Sequence, residues 1–429
     1  PRLLCIRDIA SFLLLTWMLF FSRLAKRTRL VFFGGLVGVA VLFSACFRFS
    51  QFSGNMMPIY EWRCAKHTLP TADGQARQPT YLPLAKLSFP QFLGPNRDCK
   101  VPGPGLATDW AAQPPEKLWR QPIGPAWSGF AIDGHRAVTQ EQRDENEAVV
   151  CYDLQTGSVL WLHTDPAHYR TAIAGEGPRA TPTIHNGMVY TLGATGTLNC
   201  LELTTGKPVW QRKTAEEFQF PEAFDGVGAS PVNEGNLLIV MVGGQPNSTL
   251  VAFDKCTGKV AWQSAGRDTW QDKPSIGWPG EPLVRWRGNE KLASYSTPTL
   301  ATIHGRRTLL SLTRQGLVSL DPKTGKVNFS RWFRARVNES VNAANPVVSG
   351  NRVFCSAAYY GVGSFLLDIA EDGKSFTEVW STNERRKANR RLEPVLGIHW
   401  TTPILHDGHL YAFSGRDEPD AHFRCVELE

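Results

Sequence analysis

The sequence predicts an all-β protein, a β-propeller of four-stranded antiparallel blades, preceded by an N-terminal transmembrane helix. Three observations carry this reading. A pattern that ends in Thr-Gly-x-x-x-Trp recurs along the chain, and a second pattern built on Thr-Pro or Ser-Pro alternates with it. Near the start lies a run of eighteen uncharged residues.

The uncharged run, LVFFGGLVGVAVLFSACF at residues 30–47, is closed by Arg29 and Arg48. As a helix it spans about 27 Å, close to the hydrocarbon thickness of a bilayer. Arg23, Lys26, Arg27 and Arg29 precede it, so the positive-inside rule keeps that end in the cytoplasm and exports the rest of the chain to the periplasmic side. The formal charge of +7 resides wholly in residues 1–66, and the rest of the chain is neutral. That distribution argues for a membrane address and against nucleic acid. Residues 1–66 are therefore read as the anchor, with its helix at about 30–48. Ser44-Ala45-Cys46 has the look of a lipoprotein signal end, but Phe43 is bulky for that role, and an uncleaved helix is the favoured reading. An earlier run at residues 9–22 is short for a span, and Met18 within it could be a start codon's product.

Residues 67–115 are rich in Pro and read as a connector; the propeller occupies 116–429. Its first half-unit is CYDLQTGSVLW at 151–161, followed by CLELTTGKPVW at 200–210, AFDKCTGKVAW at 252–262 and SLDPKTGKVNF at 319–329. A stretched copy, LLDIAEDGKSFTEVW, ends at Trp380. The other half-unit is ATPTIHNGMVY at 180–190, with relatives starting at residues 229, 296, 344 and 401 and a degenerate first copy at 128–138. Short apolar stretches broken by Asn-Gly, Asp-Gly and Thr-Gly turns make an antiparallel meander. Gly157, Gly206, Gly258 and Gly325 supply the positive φ of these turns. They stand 49, 52 and 67 residues apart, the period of propeller blades. A Trp repeated once per unit is too large for one small sheet, so Trp161, Trp210, Trp262 and Trp380 are placed between neighbouring blades.

These half-units resemble the pyrroloquinoline-quinone-like (PQQ-like) propeller repeat, shared by quinoprotein dehydrogenases and the outer-membrane assembly lipoprotein propellers. FPQFLGPNR at 89–97, GPRATP at 177–182 and SGRDEPDA at 414–421 look like the membrane-anchored propellers of planctomycete bacteria. The resemblance runs from about residue 47 to the end. It implies the fold strongly and an activity weakly, because one fold hosts many functions.

EKLWRQP at 116–122 reads as the last strand of a repeat, with Trp119 in the Trp position, while FRCVEL at 423–428 reads as a third strand with no fourth. Six blades are recognisable, and one terminus completing the other's blade would close them. The resemblance instead implies about two further blades, making this a truncated eight-bladed ring, which is the favoured expectation.

The connections from each Trp position to the next Pro motif hold 20, 20, 35, 13 and 22 residues, all on the face opposite the short turns. Long variable loops on a rigid ring are where binding groups are placed. Trp127, Glu176, Arg179, Asp225, Tyr295, Asn342, Asn345, His399 and Trp400 should converge on that mouth of the central channel. The plainer reading is polar lining of a wet channel, with no catalytic residue and no cofactor. A PQQ-dependent dehydrogenase would need Ca²⁺ on oxygen ligands, a basic carboxylate and an aromatic floor. Trp400, Arg179 and Asp225 match those roles only loosely, and the adjacent cysteine pair of that family is missing. The longest connection, residues 263–297, carries Trp270, Trp278 and Trp286 among prolines and is the expected interaction loop, with capping of blade ends as the alternative role of its Trp rings.

Other motifs are read as structural. Cys151, Cys200 and Cys425 occupy equivalent repeat positions, too far apart for disulfides, and are expected as buried thiols. His406 and His409 flank a tight turn, so no metal site is expected there. The basic run at 385–391 lacks interleaved aromatics and reads as a solvated loop. The function expected is a non-catalytic, membrane-anchored interaction scaffold facing a protein or envelope partner; the alternative is a PQQ-dependent alcohol or sugar dehydrogenase.

Overall fold

The computed structural model describes residues 25–52, 57–64, 69–71, 88–101, 106–172, 174–220, 226–266, 269–270, 286–288, 291–335, 337–338, 340–382, 396–415 and 421–428. The chain divides into two compact units, Pro1–Thr68 with Arg170–Gly175, and Leu69–Tyr169 with Glu176–Glu429.

The first unit holds helix α1, Lys26–Cys46, long and apolar enough to cross a membrane, with none of its residues buried. It ends at Cys46 rather than running on to Arg48 as the sequence suggested. Phe47–Phe52 is instead a strand, hydrogen-bonded to Pro58–Trp62. The reason is local: aromatic and polar residues alternate here, and period two suits a strand. Phe47 then meets both Phe43 and Trp62 at ring-centroid distances of 4.9 and 5.1 Å. Arg63 closes the helix end by donating Nε to the Ser44 carbonyl at 2.9 Å.

The second unit is a propeller of antiparallel meanders. Six sheets are described, in chain order. The first has five strands, Ser88–Phe89, Ala131–Asp133, Arg136–Arg143, Asn146–Asp153 and Val159–Asp165. The second to fifth have four strands each, and the sixth, from Ile404–His406 to His422–Glu427, has three. The Pro-rich stretch thus contributes a strand, Ser88–Phe89, inside the first sheet. Helix content in this unit, among the described residues, is the turn-and-a-half α2, Thr214–Phe218, and a 3₁₀ turn at Tyr359–Gly361.

Successive sheets pack face on face, and each interface has its own apolar cluster. Cys151 and Trp161 of the first sheet meet Val189 and Leu201 of the second; Met241 and Trp262 of the third meet Leu309 and Val318 of the fourth. The repeat motif explains itself at these interfaces. In the Thr-Gly turns of the first, third and fourth sheets an Asp carboxylate accepts bonds from the turn's own Thr, and in the second Glu202 does so: Asp254 Oδ1 takes Thr257 N at 2.9 Å and Thr257 Oγ1 at 2.8 Å. Those bonds hold the Asp254 carboxyl below its ordinary value. The following glycine then adopts φ of 69°, 70°, 68° and 71° at Gly157, Gly206, Gly258 and Gly325. Over each lies the Trp of the preceding unit: a Cβ would stand 2.6, 2.4, 2.7 and 2.6 Å from the rings of Trp119, Trp161, Trp210 and Trp262. The same indoles donate Nε1 to Leu154, Leu203, Lys255 and Pro322 carbonyls at 2.8–3.1 Å. Glycine is required twice, for its dihedral and for the ring above it.

Trp119 occupies this place although residues 114–124 form no strand. Trp380 lies in the outer strand of the fifth sheet, half-buried against the sixth at 6.0 Å from Phe354. Cys151 and Cys200 are buried, but Cys425 is exposed, against expectation. It lies on the face of the sixth sheet that no described residue covers. The strand His422–Glu427 pairs with one neighbour among the described residues, His409–Ser414, so residues 116–122 do not complete that sheet.

Candidate functional site

In the second to sixth sheets the innermost strand is introduced by a small residue, then Thr, Ser or Asn, then Pro, and this triplet builds the site's frame. Gly129 N donates to Thr181 Oγ1 at 3.2 Å, Thr181 N to Ser230 Oγ at 2.9 Å, and Ser230 N to Thr297 Oγ1 at 2.9 Å. Thr297 N then donates to Asn345 Oδ1 at 2.8 Å, and Asn345 N to Thr402 Oγ1 at 3.2 Å. One belt of backbone-to-side-chain bonds therefore links all six described sheets around the axis. The sequence displayed the triplets but not this use of them. Their signal was the hydrogen-bonding side chain before every Pro.

The residues just before the triplets are brought together. A Cβ on Gly228, in the third sheet's lead-in, would lie 3.3 Å from Tyr295 and 3.6 Å from Arg179 Cβ. Tyr295 meets Trp400 at 6.0 Å between ring centroids, and His399 stacks edge-on against Trp400 at 4.4 Å. Lead-ins of the second, third, fourth and sixth sheets thus share one aromatic and cationic cluster. Arg179 lies over the Tyr169 ring at 4.7 Å and also donates to the Gly177 carbonyl. Trp127 is tied by its N–H to the Pro178 carbonyl at 2.9 Å and leaves 65% of its surface exposed; Trp400 leaves 52%.

Other expected site residues are spent elsewhere. Asn342 is buried, donating Nδ2 to the Thr313 and Phe333 carbonyls at 2.8 and 2.9 Å, while its own carbonyl accepts Tyr295 N at 3.1 Å. It is a bracket that holds Tyr295 in place. Asn345 belongs to the belt, and Glu176 meets His168 at 3.0 Å. Asp225 lies outside the described residues.

Behind the cluster stands Glu147, buried in the first sheet and accepting Ala194 N at 2.9 Å. Burial pushes its carboxyl up to about 7, reinforced by Asp165 and opposed by the Ala194 bond and the Arg179 charge. On the axis itself lies the loop of residues 89–101. Its Pro90 carbonyl accepts Ile184 N at 2.7 Å, and Arg97 Nη2 donates to the Pro231 carbonyl at 3.1 Å. Asn96, Asp98, Lys100 and Val101 face Ile404 and His406 across a shared cavity of about 530 Å³. The loop therefore joins the innermost strands of the first, second, third and sixth sheets. Desolvation lowers the Arg97 guanidinium to about 10. The sequence had singled this stretch out only as a resemblance.

Of the residues matched to a PQQ–Ca²⁺ site, Trp400 and Arg179 join the cluster, while Asp225 lies outside the described residues. Ca²⁺ takes six to eight oxygens. Among the described residues no group of three or more His, Cys, Asp or Glu side chains is placed to hold a metal ion. Asn342 Oδ1 is a buried oxygen without a donor, but it is single and neutral. Of the expected interaction loop, Trp270 and Trp286 fold back onto Trp332 at 5.9 and 5.6 Å, and Trp286 also lies under Arg334 at 4.9 Å. Trp278 and the basic run at 385–391 lie outside the described residues.

The family model described as "Outer membrane protein assembly factor BamB" matches residues 111–263 and 145–421. No curated protein matches in sequence. Among solved structures, BamB from Moraxella catarrhalis is 16% identical with a TM-score of 0.43, covering 70% of this chain and 72% of that one. Quinohemoprotein alcohol dehydrogenase from Comamonas testosteroni is 15% identical with a TM-score of 0.39. That match covers 71% of this chain and only 43% of the dehydrogenase. A computationally designed protein, Ika8, is 14% identical with a TM-score of 0.41 and coverage of 71% on both sides.

Proposed function

Because the chain belongs to the family of outer membrane protein assembly factor BamB, we propose that it is a non-catalytic interaction scaffold of the cell envelope. Helix α1 tethers it, with the basic end in the cytoplasm and the propeller outside. The observation that carries this reading is the mouth of the channel. Trp127, bonded to the Pro178 carbonyl, and Trp400, beside Tyr295, leave more than half of their surface to solvent. Large aromatics and Arg are the side chains that anchor protein interfaces.

The test places a photo-crosslinking amino acid at 127 or 400 in cells producing the full chain. A discrete adduct with an envelope protein, lost in Tyr295→Ala, is expected. The rival reading, a PQQ-dependent alcohol or sugar dehydrogenase, is decided by incubating the full chain in detergent with Ca²⁺ and PQQ. Stoichiometric quinone uptake with dye-linked oxidation of an alcohol overturns the scaffold. Topology has its own test: alkaline phosphatase fused after Lys66 should be active and β-galactosidase inactive.

A further inference from the structure

A second site lies on the flank of the propeller, between the outer strand of the third sheet, Val260–Ser264, and that of the fourth, Val327–Trp332. A cavity of about 700 Å³ opens there, within the range of small-molecule sites. It is independent of the channel mouth and of the scaffold reading.

Its chemistry is distinctive. Ten described residues line it and none of them carries a charge. An ionic ligand would give up its hydration without an opposite charge to replace it. Two indoles, Trp270 and Trp332, meet edge-to-face at 5.9 Å on one side, with Phe329 beside them. Their ring faces are apolar and carry the negative side of the quadrupole, which suits the C–H face of a flat polyol ring. Around them stand amides and hydroxyls: Asn247, Gln263, Thr269 and Ser330.

Several of these polar groups are unspent. Trp332 Nε1 is shut off from solvent and meets no acceptor among the described residues. A buried donor left this way costs about 1–3 kcal/mol, so an acceptor supplied from outside is favoured. Gln263 takes Ser248 Oγ on its carbonyl oxygen at 2.8 Å, and its amide N–H₂ has no bond to a described residue. Asn247, exposed at the rim, likewise makes no side-chain hydrogen bond among the described residues. Ser330 and Thr269 are partly used, since Ser330 Oγ donates to the Thr269 carbonyl at 3.0 Å and Thr269 Oγ1 accepts Gly266 N at 2.9 Å. Both oxygens keep an acceptor lone pair.

We propose that this cavity is a binding site for a neutral oligosaccharide, with Trp270 and Trp332 as the stacking wall and Trp332 Nε1, Gln263 and Asn247 as donors to its hydroxyl and ring oxygens. The uncharged character of the described lining selects against acidic sugars.

The experiment titrates the full chain, held in a detergent without a sugar headgroup, with maltotriose, cellotriose and chitotriose by isothermal calorimetry. Saturable binding of at least one is expected. Trp332→Phe, which keeps an aromatic face but deletes the donor and trims the wall, should weaken it at least about tenfold, the loss of one good hydrogen bond. Asn247→Ala, a rim change that cannot unfold a sheet, should weaken it measurably, and Trp400→Ala should leave it unchanged. No saturation with any of the three sugars overturns the proposal. So does equal binding of trigalacturonic acid, or affinity that survives both Trp332→Phe and Asn247→Ala.

Discussion

The third and sixth sheets are the same meander in two different surroundings. In the third, Leu237–Gly244 and Ser248–Asp254 are buried at nearly every position, because a sheet lies on each face. In the sixth, burial alternates along His409–Ser414 and is nearly absent from His422–Glu427. Leu410, Ala412 and Leu428 pack on the fifth sheet, while Phe413 and Phe423 keep 56% and 63% of their surface exposed on the other face. Both sheets carry apolar residues on both sides. What differs is the neighbour, so burial here belongs to the stack and not to the strand.

The sharpest way to test that contrast is to remove a side chain that one neighbour lends another. Trp262→Ala deletes the ring buried over Gly325 and its bond to the Pro322 carbonyl. A loss of about 3–5 kcal/mol is expected in a urea melt, and a loss below about 1 kcal/mol would mean the sheets do not depend on this interlock. The belt comes next. Thr297→Val keeps the shape but leaves Ser230 N without its acceptor at a buried position; about 1–3 kcal/mol should go. The same substitution at Thr402, whose partner is Asn345 N alone, should cost less, because the sixth sheet has one packed face.

Titration probes the interface of the first and second sheets. Glu147 is raised in the folded protein, to about 7, so the unfolded chain releases its proton first as pH rises. Its contribution is complete below the ordinary carboxylate value and is lost as pH climbs through about 7. Stability should therefore fall between about pH 5 and 8, and Glu147→Gln should flatten that slope; an unchanged slope would assign it to other groups. The smallest effect is expected at the sixth sheet's open face, where Phe423→Ser should change the midpoint by less than about 0.5 kcal/mol. A large loss would show that this face is covered.

Much of this was legible because the local rules repeat. Asp-x-x-Thr-Gly followed by Trp needs only short-range chemistry: a carboxylate capping its own turn, a left-handed glycine, and a ring too large for one sheet. Those residues announced the meander, its turns and the interlock. The helix end was missed by a residue or two because Phe47 continues the apolar run, and only pairing with Trp62 makes it a strand. Asn342 looked like a channel ligand because position alone was visible; its bonds go to Thr313 and Phe333, 29 and 9 residues back along the chain, and no sequence motif marks either pairing. Cys425 sat in the same motif slot as Cys151, yet is exposed.

By itself, then, the sequence determined the repeating unit and the apolar span near the start, since each arises from dihedral preference and hydrophobic period over a dozen residues. Tertiary structure alone decided which groups were spent and which were left over. The belt of Thr181, Ser230, Thr297 and Asn345, the axial placing of Arg97 and the unpartnered indole of Trp332 all depend on atoms that meet across sheets. A hydrogen bond reaches about 3 Å, and nothing in a linear chain says which distant carbonyl will arrive within it.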